Sequence, residues 1–175
     1  MPEIKTIGVL TGGGDCSGLN AVVRAVTLTA INKYGCEVIG FKKGYAGLYA
    51  NNYMQLTAEN TTNILNQGGT ILKNSNKDNL FNYAYRDENG NIQHKDVSDV
   101  AVQNLKDLQI DALVVIGGDG TLTSARDFAR KGVRVIGVPK TIDNDVSYAD
   151  ITFGFTTALG VIYRFVFYII VVYSL

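Results

Sequence analysis

Apolar residues along this chain alternate between short unbroken runs and stretches at helical spacing. Ile4–Leu10 is a short apolar run that ends in glycines, and Leu19–Asn32 carries apolar positions at helical period between Gly18 and Gly35. Strand, loop and helix follow in that order. Glu37–Phe41 predicts a second strand, Thr57–Asn66 a helix opened by a Thr cap with Asn60 three positions on, and Asp96–Leu108 a further helix. Ala112–Ile116 is a continuous apolar run of the kind buried on both faces of a parallel sheet. After it come a glycine loop, a helix near Leu122–Ala129 and a strand at Val133–Val138. Between the halves, residues 76–93 are polar and turn-rich, with Asn79, Asn82, Asp87, Glu88, Asn89, Gly90 and Asn91, and predict a loop or small hairpin. There are no internal repeats and no linker. The pattern predicts an α/β fold built on an open, mostly parallel, doubly wound sheet.

Composition narrows the partners. The chain has 175 residues, 46% hydrophobic and 18% charged, with 16 basic against 16 acidic side chains. That is the size and balance of one ordinary domain. Without a basic stripe or charge block there is no electrostatic footprint for nucleic acid or an anionic membrane, so small, locally bound ligands are expected. Cys16 and Cys36 have no metal-type spacing, and the amino terminus lacks the charged-then-apolar pattern of a secretory signal, which predicts a reduced, cytoplasmic protein. Cys16 is read as a small residue filling its loop, and His94 as an incidental residue of the polar segment.

Candidate chemistry lies in three loops that each follow a strand-like run. In open α/β sheets, ligands sit beyond the carboxyl ends of the strands, where such loops meet. Thr11-Gly12-Gly13-Gly14-Asp15-Cys16-Ser17-Gly18 is glycine-rich, so its backbone N–H groups can turn toward an anion at close range. It is neither a dinucleotide fingerprint, being one residue too long, nor a P-loop, since no Gly-Lys-Ser/Thr follows. Alone it reads equally as a phosphate contact or a tight strand-to-helix turn. Gly117-Gly118-Asp119-Gly120-Thr121 adds a carboxylate and a hydroxyl, which suit a triphosphate with Mg²⁺, and makes Asp119 the metal candidate; the alternative is an Asp that only caps the next helix. Pro139-Lys140-Thr141-Ile142-Asp143-Asn144-Asp145 sets two carboxylates beside a lysine, a grouping suited to acid–base work in phosphoryl transfer, or else a set of solvated turn residues. Lys42, Lys43 and Tyr45, and the stretch Lys73-Asn74-Ser75-Asn76-Lys77, are weaker candidates for anion contact than for plain surface.

Taken together, these segments resemble one family, the phosphofructokinases. Ile7–Cys16, Gly68-Gly69-Thr70-Ile71-Leu72, Gly117–Thr121, Pro139–Asp145 and Thr152-Phe153-Gly154-Phe155 stand in that family's order and spacing, and the likeness covers about residues 4–159. The resemblance implies a Mg²⁺-dependent enzyme of glycolysis that moves a phosphoryl group from ATP onto the 1-hydroxyl of fructose 6-phosphate, in a family of homo-oligomers. It implies that Gly13, Gly118, Asp119, Gly120, Thr121 and Lys140 meet the phosphoryl donor, with Asp119 on Mg²⁺. Thr141, Ile142, Asp143 and Asp145 would meet the sugar phosphate, with Asp143 as the base. On the donor, Gly120 points to ATP because pyrophosphate users resemble this loop with Asp there. Lys140 points the other way, and the pair is read as ATP. Asn76 and Ser124 depart from many ATP users, which carry Arg and Gly at those places.

The likeness stops near Leu159, which divides the chain into a donor-binding domain, 1–159, and an atypical apolar tail, 160–175. The tail's uncharged run Phe165–Leu175 is β-branched and aromatic, too short for the roughly 20 residues of a membrane helix, and predicts a strand-prone, sticky segment. Relative to the family, the expectation is a truncated or frame-shifted product that lacks a second domain with its arginines for the sugar phosphate. Two rival readings remain: a kinase of NAD or diacylglycerol, which shares the Gly-Gly-Asp-Gly-Thr loop but not the loops at 11–18 and 139–145, and a non-catalytic nucleotide-binding module.

Overall fold

The first apolar run becomes strand β1 (Thr6–Thr11), and the helical stretch after it becomes α1 (Leu19–Tyr34), entered and left through left-handed Gly18 and Gly35. The structure, a computed structural model, describes residues 3–75 and 79–173. The chain continues through β2 (Glu37–Phe41), a short α2 (Tyr45–Tyr49) and β3 (Tyr53–Leu56). A single 3-10 turn at Leu80–Asn82 leads into the hairpin β4 (Tyr83–Arg86) and β5 (Ile92–Lys95). The second half runs α3 (Ser98–Asp107), β6 (Ala112–Gly117), α4 (Asp119–Arg130), β7 (Val135–Thr141), the two-residue β8 (Phe153–Gly154) and α5 (Phe155–Tyr173).

Six strands form one sheet in the order β3-β2-β1-β6-β7-β8, parallel except for β3 at the edge. β6 is buried along its whole length, as its unbroken apolar sequence requires. Neighbouring residues face opposite layers: Val9, Val114 and Ile116 pack with Leu19 and Val23 of α1, while Leu10, Leu113 and Val115 pack with Leu48, Leu105 and Phe128 of α2, α3 and α4. The two cores thus sandwich the sheet between helical layers, as a doubly wound α/β fold demands.

The structure departs from the sequence expectations at several elements. Thr57–Asn66 is a series of turns and not a helix. Its cap does form, since Thr57 Oγ1 accepts from the Asn60 N–H at 3.2 Å and Asn60 Oδ1 accepts from the Thr57 N–H at 2.9 Å. Beyond it, the Thr61 N–H and hydroxyl both donate to the Thr57 carbonyl, but the Thr62 N–H donates to the Glu59 carbonyl and the Gln67 N–H to that of Ile64, three-residue turns that do not continue a helix. The uncharged run expected as a strand is instead helical through Tyr173, as the end of α5. A helix satisfies its backbone hydrogen bonds internally, whereas a strand there would need a partner. α5 also crosses residue 160, so no break in structure falls there. α4 begins at Asp119, three residues before the expected start, and β7 runs on to Thr141. Asn76 and Lys77 lie outside the described residues.

Candidate functional site

From β1 the chain steps outward to β2, and from β6 it steps the opposite way to β7, so the sheet reverses direction between β1 and β6. The crevice at such a switch point, beyond the carboxyl ends of the strands, is the preferred ligand site of this architecture. All three glycine- and lysine-bearing loops open there. β6 and β7 are direct neighbours, with Gly117 opposite Pro139, which brings the Asp119 and Asp143 loops side by side.

The first two loops are interlocked by one side chain. A Cβ on Gly12 would lie 2.6 Å from Thr121 Cγ2, and one on Gly117 would lie 2.5 Å from Thr121 Cβ, so Thr121 is wedged where both glycines leave space. The Gly12 N–H donates to the Ile116 carbonyl at 2.9 Å, closing the same contact through the backbone. Gly13 adopts φ of 77°, a left-handed conformation suited to glycine, and its N–H donates to the Ser75 carbonyl at 3.3 Å. α4 starts directly after β6, and its first backbone bond runs from the Leu122 N–H to the Gly118 carbonyl. The N–H groups of Asp119, Gly120 and Thr121 therefore precede the helical ladder and give the crevice a partial positive charge.

A cavity of about 380 Å³ occupies this crevice, walled by Gly13, Gly118, Asp119, Gly120, Thr121, Lys140 and Thr141, with Tyr45 and Ser124 alongside. Lys140 is only 5% exposed, and its Nζ donates to the Gly14 carbonyl at 2.6 Å. No carboxylate pairs with it among the described residues. Asp119 is exposed at the cavity wall, and its carboxylate makes no hydrogen bond or ion pair with a described residue. Nothing lies within 4 Å of where a Cβ on Gly120 would stand, leaving open room on that side.

Of the expected site residues, Ile142, Asp143 and Asp145 are exposed and outside the cavity lining. Asp143 is tied to its rim, since its N–H donates to Thr141 Oγ1 at 3.1 Å and Thr141 Oγ1 lies 3.5 Å from Asp143 Oδ2. Asn79 also lines the cavity, although in sequence it is only a turn former. Its Oδ1 accepts from the Phe81 N–H, and no sequence signal distinguishes it from other turn asparagines.

Tyr45 donates its hydroxyl to the Thr121 carbonyl at 2.9 Å and stacks on Phe128, with ring centroids 5.5 Å apart. Burial, reinforced by the nearby Asp127 charge, pushes its phenol above the ordinary range. Burial also raises the Cys16 thiol, partly opposed by the Lys140 charge, which accords with a small buried residue filling its loop. The Gly68-Gly69-Thr70 segment borders a second cavity of about 450 Å³, which shares Gly13, Gly14 and Ser75 with the first. At its edge Asn74 Nδ2 donates to Asp15 at 2.7 Å.

The architecture and the crevice define an α/β domain with a cavity at the switch point of its sheet, lined by glycines, a helix N-terminus and a buried lysine. The phosphofructokinase family model matches residues 6–170, and the chain belongs to that family. It is 68% identical over 158 residues to ATP-dependent 6-phosphofructokinase 2 of Clostridium perfringens, covering 90% of this chain and 43% of that protein. It is 49% identical over 155 residues to ATP-dependent 6-phosphofructokinase 2 of Streptomyces coelicolor, covering 89% of this chain and 42% of the relative. The structure of phosphofructokinase from Saccharomyces cerevisiae superposes with a TM-score of 0.77 at 33% identity, over 96% of this chain and 24% of that one. The chain thus spans less than half the length of the curated relatives it matches.

Proposed function

We propose that residues 1–159 form the phosphoryl-donor half of an ATP-dependent 6-phosphofructokinase, which transfers the γ-phosphoryl of ATP to the 1-hydroxyl of fructose 6-phosphate. The observation that carries the phosphoryl-donor part of this reading is Lys140, while the choice of ATP rests on Gly120. A buried lysine whose only acceptor among the described residues is one carbonyl, facing a cavity rimmed by glycines and a helix N-terminus, leaves a positive charge that an entering phosphate chain compensates. The open side of Gly120 supports a nucleotide, which needs room beyond its β-phosphate.

On this reading the phosphate chain lies along Gly13, the backbone of Gly118–Thr121 and the Lys140 ammonium. Thr121 serves through its N–H, since its side chain is taken up against Gly12 and Gly117. Asp119 fits Mg²⁺: a carboxylate without a partner among the described residues, beside a phosphate site, suits an ion held by one or two carboxylates, substrate phosphates and water. When bound, that ion supplies neutralisation of charge on the phosphoryl oxygens. Thr141, Ile142 and Asp145 border the sugar phosphate. Asp143 takes the proton of the sugar's 1-hydroxyl as the hydroxyl oxygen forms the bond to the γ-phosphorus and the bond from that phosphorus to the ADP oxygen breaks. The names of the relatives support a place in glycolysis, the free, buried Cys16 and Cys36 suit a reducing, cytoplasmic setting, and homo-oligomer formation is carried over from the family resemblance. No helix among the described residues is long and apolar enough to cross a membrane.

Phosphorus NMR of the chain with Mg²⁺ and fructose 6-phosphate tests the reading, with ATP in one sample and pyrophosphate in another. Fructose 1,6-bisphosphate from ATP alone is the expected result. Product from pyrophosphate alone would reassign the donor, and broadened ATP signals without product would confine the chain to donor binding. Sharp ATP signals without product would overturn the proposal.

A further inference from the structure

The segment Thr152-Phe153-Gly154-Phe155 stands out in the sequence, yet none of its residues lines the cavity. Its place in the fold shows what it does. Thr152 is 1% exposed, and its Oγ1 donates to the Thr141 carbonyl at 2.8 Å. The same residue donates its N–H to Asn144 Oδ1 at 2.8 Å, with Oγ1 3.3 Å from that oxygen. Asn144 holds φ of 54°, a left-handed conformation that asparagine tolerates better than most residues. Thr152 therefore grips the 141–145 loop on both sides of Asp143, while Asp143 itself stays exposed. Directly after it, β8 pairs with the end of β7, Lys140 opposite Phe153 and Thr141 opposite Gly154. The Phe153 carbonyl accepts from Cys16 Sγ at 3.5 Å, which ties the same short strand to the first glycine loop.

A buried hydroxyl with two polar contacts, spent on a loop that is otherwise solvated, needs a reason beyond packing. We propose that Thr152 and Asn144 are positioning residues: their clasp fixes the orientation of Asp143 relative to Lys140 and the glycine loops. The inference rests on the reading of Asp143 as the base. It goes beyond that reading by assigning the control of its geometry to two residues that touch neither donor nor acceptor. Catalysis that depends on a carboxylate held to a fraction of an ångström loses rate when such supports are removed, even with all reacting groups present.

The test uses the full chain and side-chain NMR, so it does not depend on turnover. Three-bond couplings report the χ1 populations of Asp143, and amide exchange reports the loop. In Thr152→Val the bond to the Thr141 carbonyl is lost at nearly constant volume. Asp143 is expected to average over rotamers, and the Asp143 and Thr152 amides to exchange roughly five- to tenfold faster, as loss of one hydrogen bond implies. Thr152→Ser, which keeps the hydroxyl, should restore wild-type behaviour, and amides of β6 should not change in either variant. Asn144→Gly keeps access to positive φ but removes the acceptor, and should loosen the same residues if Thr152→Val does not fold. The proposal is overturned if Thr152→Val matches wild type, if Thr152→Ser behaves like Thr152→Val, or if exchange rises equally in β6. Asp143→Asn separates the two ideas: undiminished phosphoryl transfer in that variant sinks the base assignment, while the couplings still report the clasp.

Discussion

Thr121 occupies the space that two glycines vacate, and its two contacts differ in a way that can be measured. At Gly12 the obstruction comes from Thr121 Cγ2 and Oγ1, with Cβ back at 3.3 Å, whereas at Gly117 it includes Thr121 Cβ itself at 2.5 Å. Gly12→Ala is expected to lower the unfolding free energy by about 1–3 kcal/mol, as overpacking does, and Thr121→Ala in the same chain to regain most of that loss. Gly117→Ala should not be rescued by Thr121→Ala. Denaturant titration of the single and double variants checks both, and equal rescue at the two positions would refute the wedge. Lys140→Met keeps the length of the side chain and removes its charge. Because a charge-assisted hydrogen bond is worth about 1.5–3 kcal/mol, ATP affinity by calorimetry should fall roughly ten- to a hundredfold. Unchanged affinity would remove the observation on which the functional reading rests.

At the scale of elements, α2 acts as a brace for the site. The Asn104 side-chain amide donates to the Leu48 and Tyr49 carbonyls at 2.8 and 3.0 Å and fixes the C-terminal end of α2, while Tyr45 at the other end holds the first turn of α4. Tyr45→Phe should cost about 1 kcal/mol of stability, and it should weaken ATP binding more than Asn104→Ala does, since only Tyr45 touches the α4 turn. Isothermal titration of both variants decides this, and an equal loss would reduce Tyr45 to a packing residue. Elements with unmistakable periodicity were legible in the sequence: the run Ala112–Ile116 could only be a strand buried on both faces, and Leu19–Asn32 only a helix. α2 was not legible, because five residues carry no period. Thr57–Asn66 misled because a genuine cap forms at its start, yet past Thr61 the backbone bonds tighten to three-residue turns and no helical ladder follows. The three loops of the site were readable from glycine and charge spacing, but the Thr152 clasp and Asn79 were not, since their roles come from contacts between distant segments.

Across the whole molecule, stability should be graded from the sheet centre outward. β1 and β6 are enclosed by both cores, whereas α5 leaves Val161, Ile162, Tyr163, Phe165 and Phe167 exposed. Hydrogen exchange is expected to be slowest in β6 and fastest in α5, and the reverse order would contradict this packing. Acid should act through Asp111 at the start of β6, whose carboxylate accepts the Lys5 and Thr6 N–H groups at 2.7 and 3.0 Å. Those two bonds hold its carboxyl below the ordinary value of 3.8. The unfolded chain therefore binds that proton more readily, so the contribution is complete above about pH 4 and is lost as pH falls through the folded value. Asp111→Asn should flatten the fall in Tm below about pH 4, and an unchanged slope in thermal scans would show that other groups govern it.

The contact of Lys140 with one carbonyl among the described residues also bears on how the protein is handled. An ammonium held ready in a preformed hollow does not discriminate strongly among small tetrahedral anions. Phosphate or sulfate in a storage buffer is therefore expected to compete with ATP for it, and affinities measured in such a buffer should be weaker than those in a zwitterionic one at equal ionic strength.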